Sequence, residues 1–185
     1  RIARKGFELA MTRSKKLCCV DKANVLESSR LWRETVQSME KEYPEVEVSY
    51  EFVDAVAMRL VQWPNSYDVL ITENLFGDIL TDEASVISGS MGLMPSASIG
   101  TKTSLFEPIH GSYPQAEGKD IANPLATILS AAMMFEDAFG LKEEAECIRE
   151  VVNRSLSEGF VTEDLSNGKK SYRTSEVGDW LASNI

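Results

Sequence analysis

The sequence has few histidines, few cysteines and a deficit of positive charge. One histidine and three cysteines occur in 185 residues, and 29 acidic residues outnumber 19 basic ones, which gives a formal net charge of −10. This balance argues against a nucleic-acid partner, because phosphate would be repelled unless a local basic patch overcame the charge, and none is found. Cys18 and Cys19 lie in an apolar run and Cys147 lies in a helical pattern. Their spacing is not that of a zinc site and predicts buried or half-buried thiols in a reducing compartment.

Long hydrophobic runs are also missing. No stretch approaches the roughly 20 apolar residues that cross a bilayer, and residues 1–5 lack the apolar segment of a secretion signal. We therefore expect a cytoplasmic protein without a membrane partner. The hydrophobic share of 43% is that of a globular chain with one sizeable core. The chain does not begin with Met, and its first dozen residues read as an amphipathic helix, so we expect it to start inside a domain.

Short apolar or alternating runs alternate with segments of helical period. This order predicts an α/β fold with helices packed on a mostly parallel sheet, since parallel strands need long crossovers. The strand patterns cover residues 17–20, 46–52, 68–72 and 104–108, and the helical patterns cover residues 28–43, 55–61, 78–88, 124–139, 142–158 and a segment from about 174. Glycine, proline and small residues over 89–100 predict a domain crossover, with one part at 1–89 and the other at 90–185.

Two aspartates are the first candidates for a metal site. Asp78 and Asp82 are four residues apart on a predicted helix, so their carboxylates project from one face. The flanking residues are apolar, which suggests a site near the interior, and oxygen ligands favour Mg²⁺ or Mn²⁺. The alternative is an ordinary acidic helix face. Asp54, at a strand-to-helix junction, is either a helix N-cap or a further ligand.

Lys22 and a polar loop are the other candidates. Lys22 follows the end of a predicted strand, where α/β folds place functional groups, although most lysines at such positions are merely solvated. A lysine beside a divalent cation can act as a base, because the cation disfavours the ammonium form. Residues 110–122 contain glycine and turn formers that let a ligand approach backbone amides, or they form an ordinary surface loop. They lack the G-x-G-x-x-G dinucleotide fingerprint.

Together these segments resemble the β-decarboxylating dehydrogenases, the family of isopropylmalate, isocitrate, homoisocitrate and tartrate dehydrogenases. The similarity spans nearly the whole chain. The segment Asp-Lys-Ala-Asn-Val-Leu at 21–26 is similar to the family's catalytic-lysine strand, and Glu-Asn-Leu-Phe-Gly-Asp-Ile-Leu-Thr-Asp at 73–82 is similar to its metal helix. The resemblance implies the family's non-Rossmann fold, present here as its C-terminal half, with 1–89 in the dimer-forming part and 90–185 in the cofactor-binding part.

The resemblance also implies roles for single residues. Lys22 would be the catalytic base, and Asp54, Asp78 and Asp82 would bind Mg²⁺ or Mn²⁺. The substrate would contact Lys22, Asn24, Val25 and Asp54, and in the family's homodimer Lys22 and Asp54 complete the partner's site. The residues implied to approach NAD are Glu107, His110, Gly111, Ser112, Tyr113, Pro114, Gln115, Ala116, Glu117, Gly118, Lys119, Asp120, Ile121, Ala122 and Asn123.

Three segments resemble the isopropylmalate branch of the family in particular: 22–26, 94–98 and 107–112. The expected substrate is therefore 3-isopropylmalate, with another member of the family, or an inactive dimer-forming fragment, as the alternatives. Gln115 departs from the pattern, because the family commonly has an aspartate there that binds the adenosine ribose and rejects NADP. No Lys-Tyr pair of the NADP-specific type replaces it, so NAD stays favoured. The family's substrate arginines and catalytic tyrosine belong to the N-terminal half.

Overall fold

A parallel sheet of three strands organises the first unit of the chain, Arg1–Ala84. The computed structural model describes residues 1–185. The central strand is β1 (Lys16–Asp21), with β2 (Glu47–Phe52) on one side and β3 (Val69–Ile71) on the other, and both pairings are parallel. Every residue of β1 after Lys16 is buried, which agrees with its unbroken apolar run. The predicted parallel sheet is confirmed.

Helices pack on both faces of this sheet. They are α1 (Ile2–Met11), α2 (Glu27–Met39), α3 (Val53–Gln62) and the start of α4 (Asn74–Ser88). Alternate residues of β1 serve opposite faces: Leu17 and Cys19 pack with α1 and α2, and Cys18 and Val20 pack with α3 and α4. The cysteines are free, and burial raises the pKa of Cys18 to about 11. Buried and half-buried thiols were predicted, and this is confirmed.

Helix α4 begins earlier than the sequence predicted. We expected a loop over 73–77 and a helix from Asp78, but the helix starts at Asn74. The N–H of Gly77 donates to the carbonyl of Glu73 at 3.0 Å, which is the helical i to i−4 pattern. Gly77 does not stop the helix, because a single glycine costs a helix only about 1 kcal/mol relative to alanine, and the packing of Leu80 in the core exceeds that.

The second unit, Ser85–Ile185, combines an antiparallel strand pair with three helices. Strand β4 (Pro95–Ser98) pairs with β5 (Leu105–Pro108), and α5 (Leu125–Phe139), α6 (Lys142–Glu158) and α7 (Thr174–Ala182) follow. The predicted helices over 124–139 and 142–158 are confirmed, and Gly159 ends α6 with φ at 72°, in the left-handed region. Strand β4 was not predicted, since its residues were taken for a crossover.

The boundary between the two units falls within one helix of the chain. The division falls after Ala84, inside α4, a few residues before the boundary at 89 that we expected. The assignment of dimer-forming and cofactor-binding roles to the two parts remains a prediction. No helix in the structure is long and apolar enough to cross a membrane.

Candidate active site

Lys22 and Asp54 lie together at the carboxyl edge of the parallel sheet. The register pairs Asp21 with Phe52, so the chain leaves both strands at the same level, and Lys22 and Asp54 follow within two residues. Lys22 Nζ donates a hydrogen bond to Asp54 Oδ1 and lies 5.7 Å from the ring centroid of Phe52. This bond, helped by Asp54's own backbone N–H, lowers the pKa of Asp54 below its ordinary value. The sheet thus brings two of the sequence-predicted site residues into contact.

A buried ion pair fixes the backbone on which Lys22 stands. Asp21 is fully buried, and Arg33 of α2 binds both its oxygens, with Nε 2.7 Å from Oδ2 and a terminal nitrogen 3.0 Å from Oδ1. The same carboxylate accepts the N–H of Ala23 at 2.8 Å. The Arg33 guanidinium also lies 5.3 Å from the Phe52 ring centroid, the ring that Lys22 approaches. Sequence reasoning missed this pair, which holds the residues on either side of Lys22.

Replacing Arg33 by methionine is expected to lower the free energy of unfolding by roughly 3 kcal/mol, because the buried Asp21 carboxylate then loses its partner. Chemical denaturation followed by circular dichroism measures the change. Lys5→Met is the control, since Lys5 forms an exposed pair with Glu8 and its loss should cost less than about 1 kcal/mol. Equal stability losses in the two variants would show that the Asp21 pair contributes no more than a surface pair.

The residues after Lys22 form a tight turn. The N–H groups of Val25 and Leu26 both donate to the Lys22 carbonyl at 2.9 Å, and Asn24 and Val25 are exposed. Val25 keeps 64% of its surface, although it is apolar. The turn therefore exposes Asn24 and Val25, two of the four residues expected to contact the substrate.

Asp78 and Asp82 lie one turn apart on α4, as predicted, and both are exposed. Of the apolar side chains near them, Leu80 is buried in the core, but Leu75 is 67% exposed and Ile79 is 56% exposed. The expectation that these aspartates form a metal site near the interior stays a prediction, and in this chain both carboxylates lie at the surface. No three His, Cys, Asp or Glu side chains are grouped so that they could hold a metal ion.

A pocket of about 620 Å³ lies in the second unit, against the predicted cofactor loop. The loop supplies its beginning, from His110 to Tyr113, and its end, from Ile121 to Asn123. Two further segments complete the wall, and neither was singled out from the sequence. They are Ser90, Met91 and Gly92 after α4, and Glu163 and Asp164 in a short 3₁₀ helix (Glu163–Leu165).

Asp164 joins these segments through three hydrogen bonds. Its Oδ2 accepts from Ser90 Oγ at 2.5 Å and from Asn123 Nδ2 at 2.9 Å, and its Oδ1 accepts from Thr162 Oγ1 at 2.5 Å. Burial raises the pKa of Asp164, but the three hydrogen bonds outweigh it and hold the pKa below its ordinary value. The oxygen of the Asn123 amide accepts the N–H of Leu125, the first residue of α5, at 3.0 Å.

The middle of the loop lies outside the pocket wall. Asp120 binds the start of α7, where its oxygens accept from the backbone N–H of Ser175 at 2.9 Å and from the Ser175 hydroxyl at 2.5 Å. Both bonds lower the pKa of Asp120 below its ordinary value, and the bond from the Ser175 hydroxyl has the larger effect. Glu107 is exposed on β5, and the Gly111 carbonyl lies 3.0 Å from His110 Nδ1. The remaining predicted residues, none of which lines the pocket, are Pro114, Gln115, Ala116, Glu117, Gly118 and Lys119.

Comparison with known proteins gives the family. The family model described as isocitrate/isopropylmalate dehydrogenase matches residues 1–181. This chain belongs to that family of dehydrogenases, which confirms the resemblance read from the lysine and metal-helix segments. Its curated relatives include the 3-isopropylmalate dehydrogenase of Bacteroides fragilis, which is 56% identical over 186 residues, and that of Sulfurimonas denitrificans, which is 53% identical over 184 residues.

The alignments cover 100% and 98% of this chain but 52% of each relative, so the chain spans about half the length of the curated relatives it matches. The solved structures that the chain matches are also about twice its length. The isocitrate dehydrogenase of Methylococcus capsulatus has a TM-score of 0.94 at 40% identity, over 100% of this chain and 55% of that one. A β-decarboxylating dehydrogenase of Thermococcus kodakarensis has a TM-score of 0.88 at 40% identity, over 100% of this chain and 53% of that one.

Proposed function

We propose that this chain supplies part of the active site of an NAD-dependent 3-isopropylmalate dehydrogenase. That enzyme oxidises and decarboxylates (2R,3S)-3-isopropylmalate to 4-methyl-2-oxopentanoate in leucine biosynthesis. The observation that carries the proposal is the Lys22–Asp54 pair at the sheet edge, in a chain that is 52–56% identical to proteins of that name. A second candidate, another β-decarboxylating dehydrogenase, is favoured by the close structural match to an isocitrate dehydrogenase.

Lys22 is the proposed base. Oxidation of the substrate alcohol requires a group that takes the hydroxyl proton, and Nζ of Lys22 can take it in its neutral form. The Asp21–Arg33 pair fixes the backbone beside Lys22, and a fixed base lowers the entropic cost of reaching the reactive geometry. NAD, when bound, accepts the hydride.

The carboxylates on α4 suit a divalent cation. Asp78 and Asp82 offer hard oxygen donors one helical turn apart, which is the ligand chemistry of Mg²⁺ and Mn²⁺. Because one chain groups no three ligands, we propose that Asp54 of a second copy completes the set. The ion would supply positive charge beside the oxygen on which negative charge develops as carbon dioxide is lost.

Asp78→Asn is expected to weaken Mg²⁺ or Mn²⁺ binding by about tenfold or more and to lower activity in parallel, since a neutral amide is a poorer ligand than a carboxylate. Titration calorimetry with Mn²⁺ measures the affinity. Asp137→Asn, an exposed aspartate on α5, is the matched control and should leave binding unchanged. Metal affinity that is the same in Asp78→Asn and in the wild type would contradict the assignment.

Homodimer formation is proposed from the surface of the first unit. Met58 and Val61 on α3 are 61% and 65% exposed, and Leu75 and Ile79 on α4 are exposed to a similar degree. Exposed apolar side chains at helical spacing on neighbouring helices are typical of a protein interface. A self-complementary interface with a two-fold axis is the commonest arrangement of such a patch.

The pocket of the second unit is the proposed place of NAD. Its wall combines Gly111, where the missing side chain lets a ligand approach the backbone, with the polar groups of Asn123 and Asp164. The function is tested on the active enzyme of which this chain forms part, by following NADH absorbance with 3-isopropylmalate, isocitrate and tartrate as separate substrates. Turnover confined to 3-isopropylmalate is expected. A preference for isocitrate or tartrate would support the second candidate instead.

A further inference from the structure

Glu73 joins helix α2 to the start of α4, the helix that carries the proposed ion ligands. It stands between β3 and α4, and its carbonyl accepts the N–H of Gly77 in the first turn of the helix. Its side chain is half-buried, and Oε1 accepts a hydrogen bond from the Ser29 hydroxyl at 2.9 Å. Ser29 is fully buried in α2, 44 residues away in the chain. Loss of the carboxylate would leave this buried hydroxyl unsatisfied, so the bond ties the two segments together.

The same helix holds the segment that carries Lys22. Arg33, which binds Asp21, stands four residues after Ser29, so the two side chains leave one face of α2 one turn apart. Asp21 and Glu73 are level with each other, because each follows by two residues the last pair in the register of β1 with β3. One face of α2 therefore binds both the residue before Lys22 and the residue before α4.

We propose that Glu73 is a positioning residue, which fixes α4 relative to the Lys22 segment through its bond with Ser29. The inference rests on the proposed function, because it concerns the placement of the proposed base relative to the proposed ion ligands. Asp78 stands on α4 five residues after Glu73, so a shift of the helix start moves this carboxylate with it. A displacement of about 1 Å between reacting groups can lower a rate by about 10²-fold.

The placement within one chain affects both sites of the proposed homodimer. There Lys22 of one copy acts beside the ion ligands on α4 of the other, and α4 also belongs to the proposed interface. Glu73 places Lys22 against α4 of its own chain, and the interface places that helix against the second copy. The bond between Glu73 and Ser29 therefore enters the geometry of both sites, which the two-fold axis makes identical.

The test measures kcat with 3-isopropylmalate in the active enzyme of which this chain forms part, per folded protein. Glu73→Ala removes the acceptor and should lower kcat by roughly 10-fold, because the base and the ion ligands are then misplaced. Glu73→Gln keeps an acceptor oxygen and should stay within about threefold of the wild type. Ser29→Ala, a milder change, removes the donor alone and should reproduce most of the loss. The KM for NAD should change by less than about twofold in all three, since the NAD pocket is proposed in the second unit.

A double variant and a control separate positioning from a general loss of stability. Ser29→Ala combined with Glu73→Ala should lose no more kcat than Glu73→Ala alone, because both substitutions remove the same bond. Glu34→Ala is the control: it removes an exposed carboxylate from α2 and should leave kcat unchanged. Circular dichroism at the assay temperature measures the folded fraction of each variant.

The possible results distinguish the role of Glu73 from the proposed function. Wild-type kcat in folded Glu73→Ala and Ser29→Ala would overturn the role and leave the proposed function standing. Losses that multiply in the double variant, or equal losses in Glu73→Gln and Glu73→Ala, would also overturn it, because the shared bond would then not be the cause. A wild-type enzyme without turnover of isopropylmalate would overturn the proposed function and the role of Glu73 together.

Discussion

Lys22→Met is expected to lower kcat of the active enzyme by a factor of about 10² to 10⁴, because proton transfer by a positioned side chain contributes that much to rate. Methionine keeps the length and the apolar stem of lysine but cannot accept a proton. Lys22 stands in the first unit, and the proposed cofactor pocket is formed by residues of the second, so NAD affinity should stay near that of the wild type. Steady-state kinetics with 3-isopropylmalate and a separate NAD titration measure the two quantities.

Lys41→Met is the control for this variant. Lys41 is an exposed lysine of the same unit, in a short 3₁₀ helix (Glu40–Glu42), and its replacement should leave kcat unchanged. Activity of Lys22→Met that recovers as pH is raised would point to another base. An unchanged turnover number would remove Lys22 from the proton transfer altogether.

The second large effect concerns the 185 residues on their own, which are expected to form a dimer but to show no isopropylmalate oxidation. The apolar residues exposed on α3 and α4, Met58, Val61, Leu75 and Ile79, favour association. The resemblance assigns the arginines that hold the substrate carboxylates to the family's N-terminal half. Loss of substrate positioning can raise the barrier by roughly 7–11 kcal/mol, so turnover should fall below detection.

Two measurements on the purified chain check this expectation. Multi-angle light scattering gives the mass in solution, and NADH absorbance gives the turnover with added Mg²⁺. A monomer at all accessible concentrations would contradict the interface proposed on α3 and α4. Production of NADH that depends on isopropylmalate would show that these residues position the substrate without the arginines.

The sequence predicted those elements whose own residues decide their structure. Strand β1 follows from an unbroken apolar run, and α6 follows from its apolar period and the glycine at 159. Strand β4 could not be predicted, because Pro95, Ser96, Ala97 and Ser98 have low strand propensity and pair only because β5 lies beside them. The start of α4 was misplaced, because the sequence predicted a helix only from Asp78 and residues 74–77 are helical as well.

The candidate site, too, has contacts that the sequence predicts and contacts that it does not. Contact between Lys22 and Asp54 could be anticipated, because parallel neighbouring strands end at one edge of a sheet. The Asp21–Arg33 pair and the hydrogen bonds of Asp164 could not, since their partners come from other elements and carry no local pattern. Ser90 and Asp164, for example, are 74 residues apart in the chain. A carboxylate that organises a pocket differs from a solvated one only in its tertiary neighbours.

Gly92 shows how an absent side chain shapes the pocket of the second unit. A Cβ atom at this position would lie 2.6 Å from the Cβ of Asn123, closer than such atoms approach in proteins. Any other residue at 92 would displace the Asn123 side chain. Its amide nitrogen donates to Asp164, and its amide oxygen accepts from the N–H of Leu125. The Asn123 side chain therefore fits only when residue 92 has no side chain of its own. The effects of substitutions at 92 and 123 on stability should be coupled, although 30 residues separate the two positions in the chain.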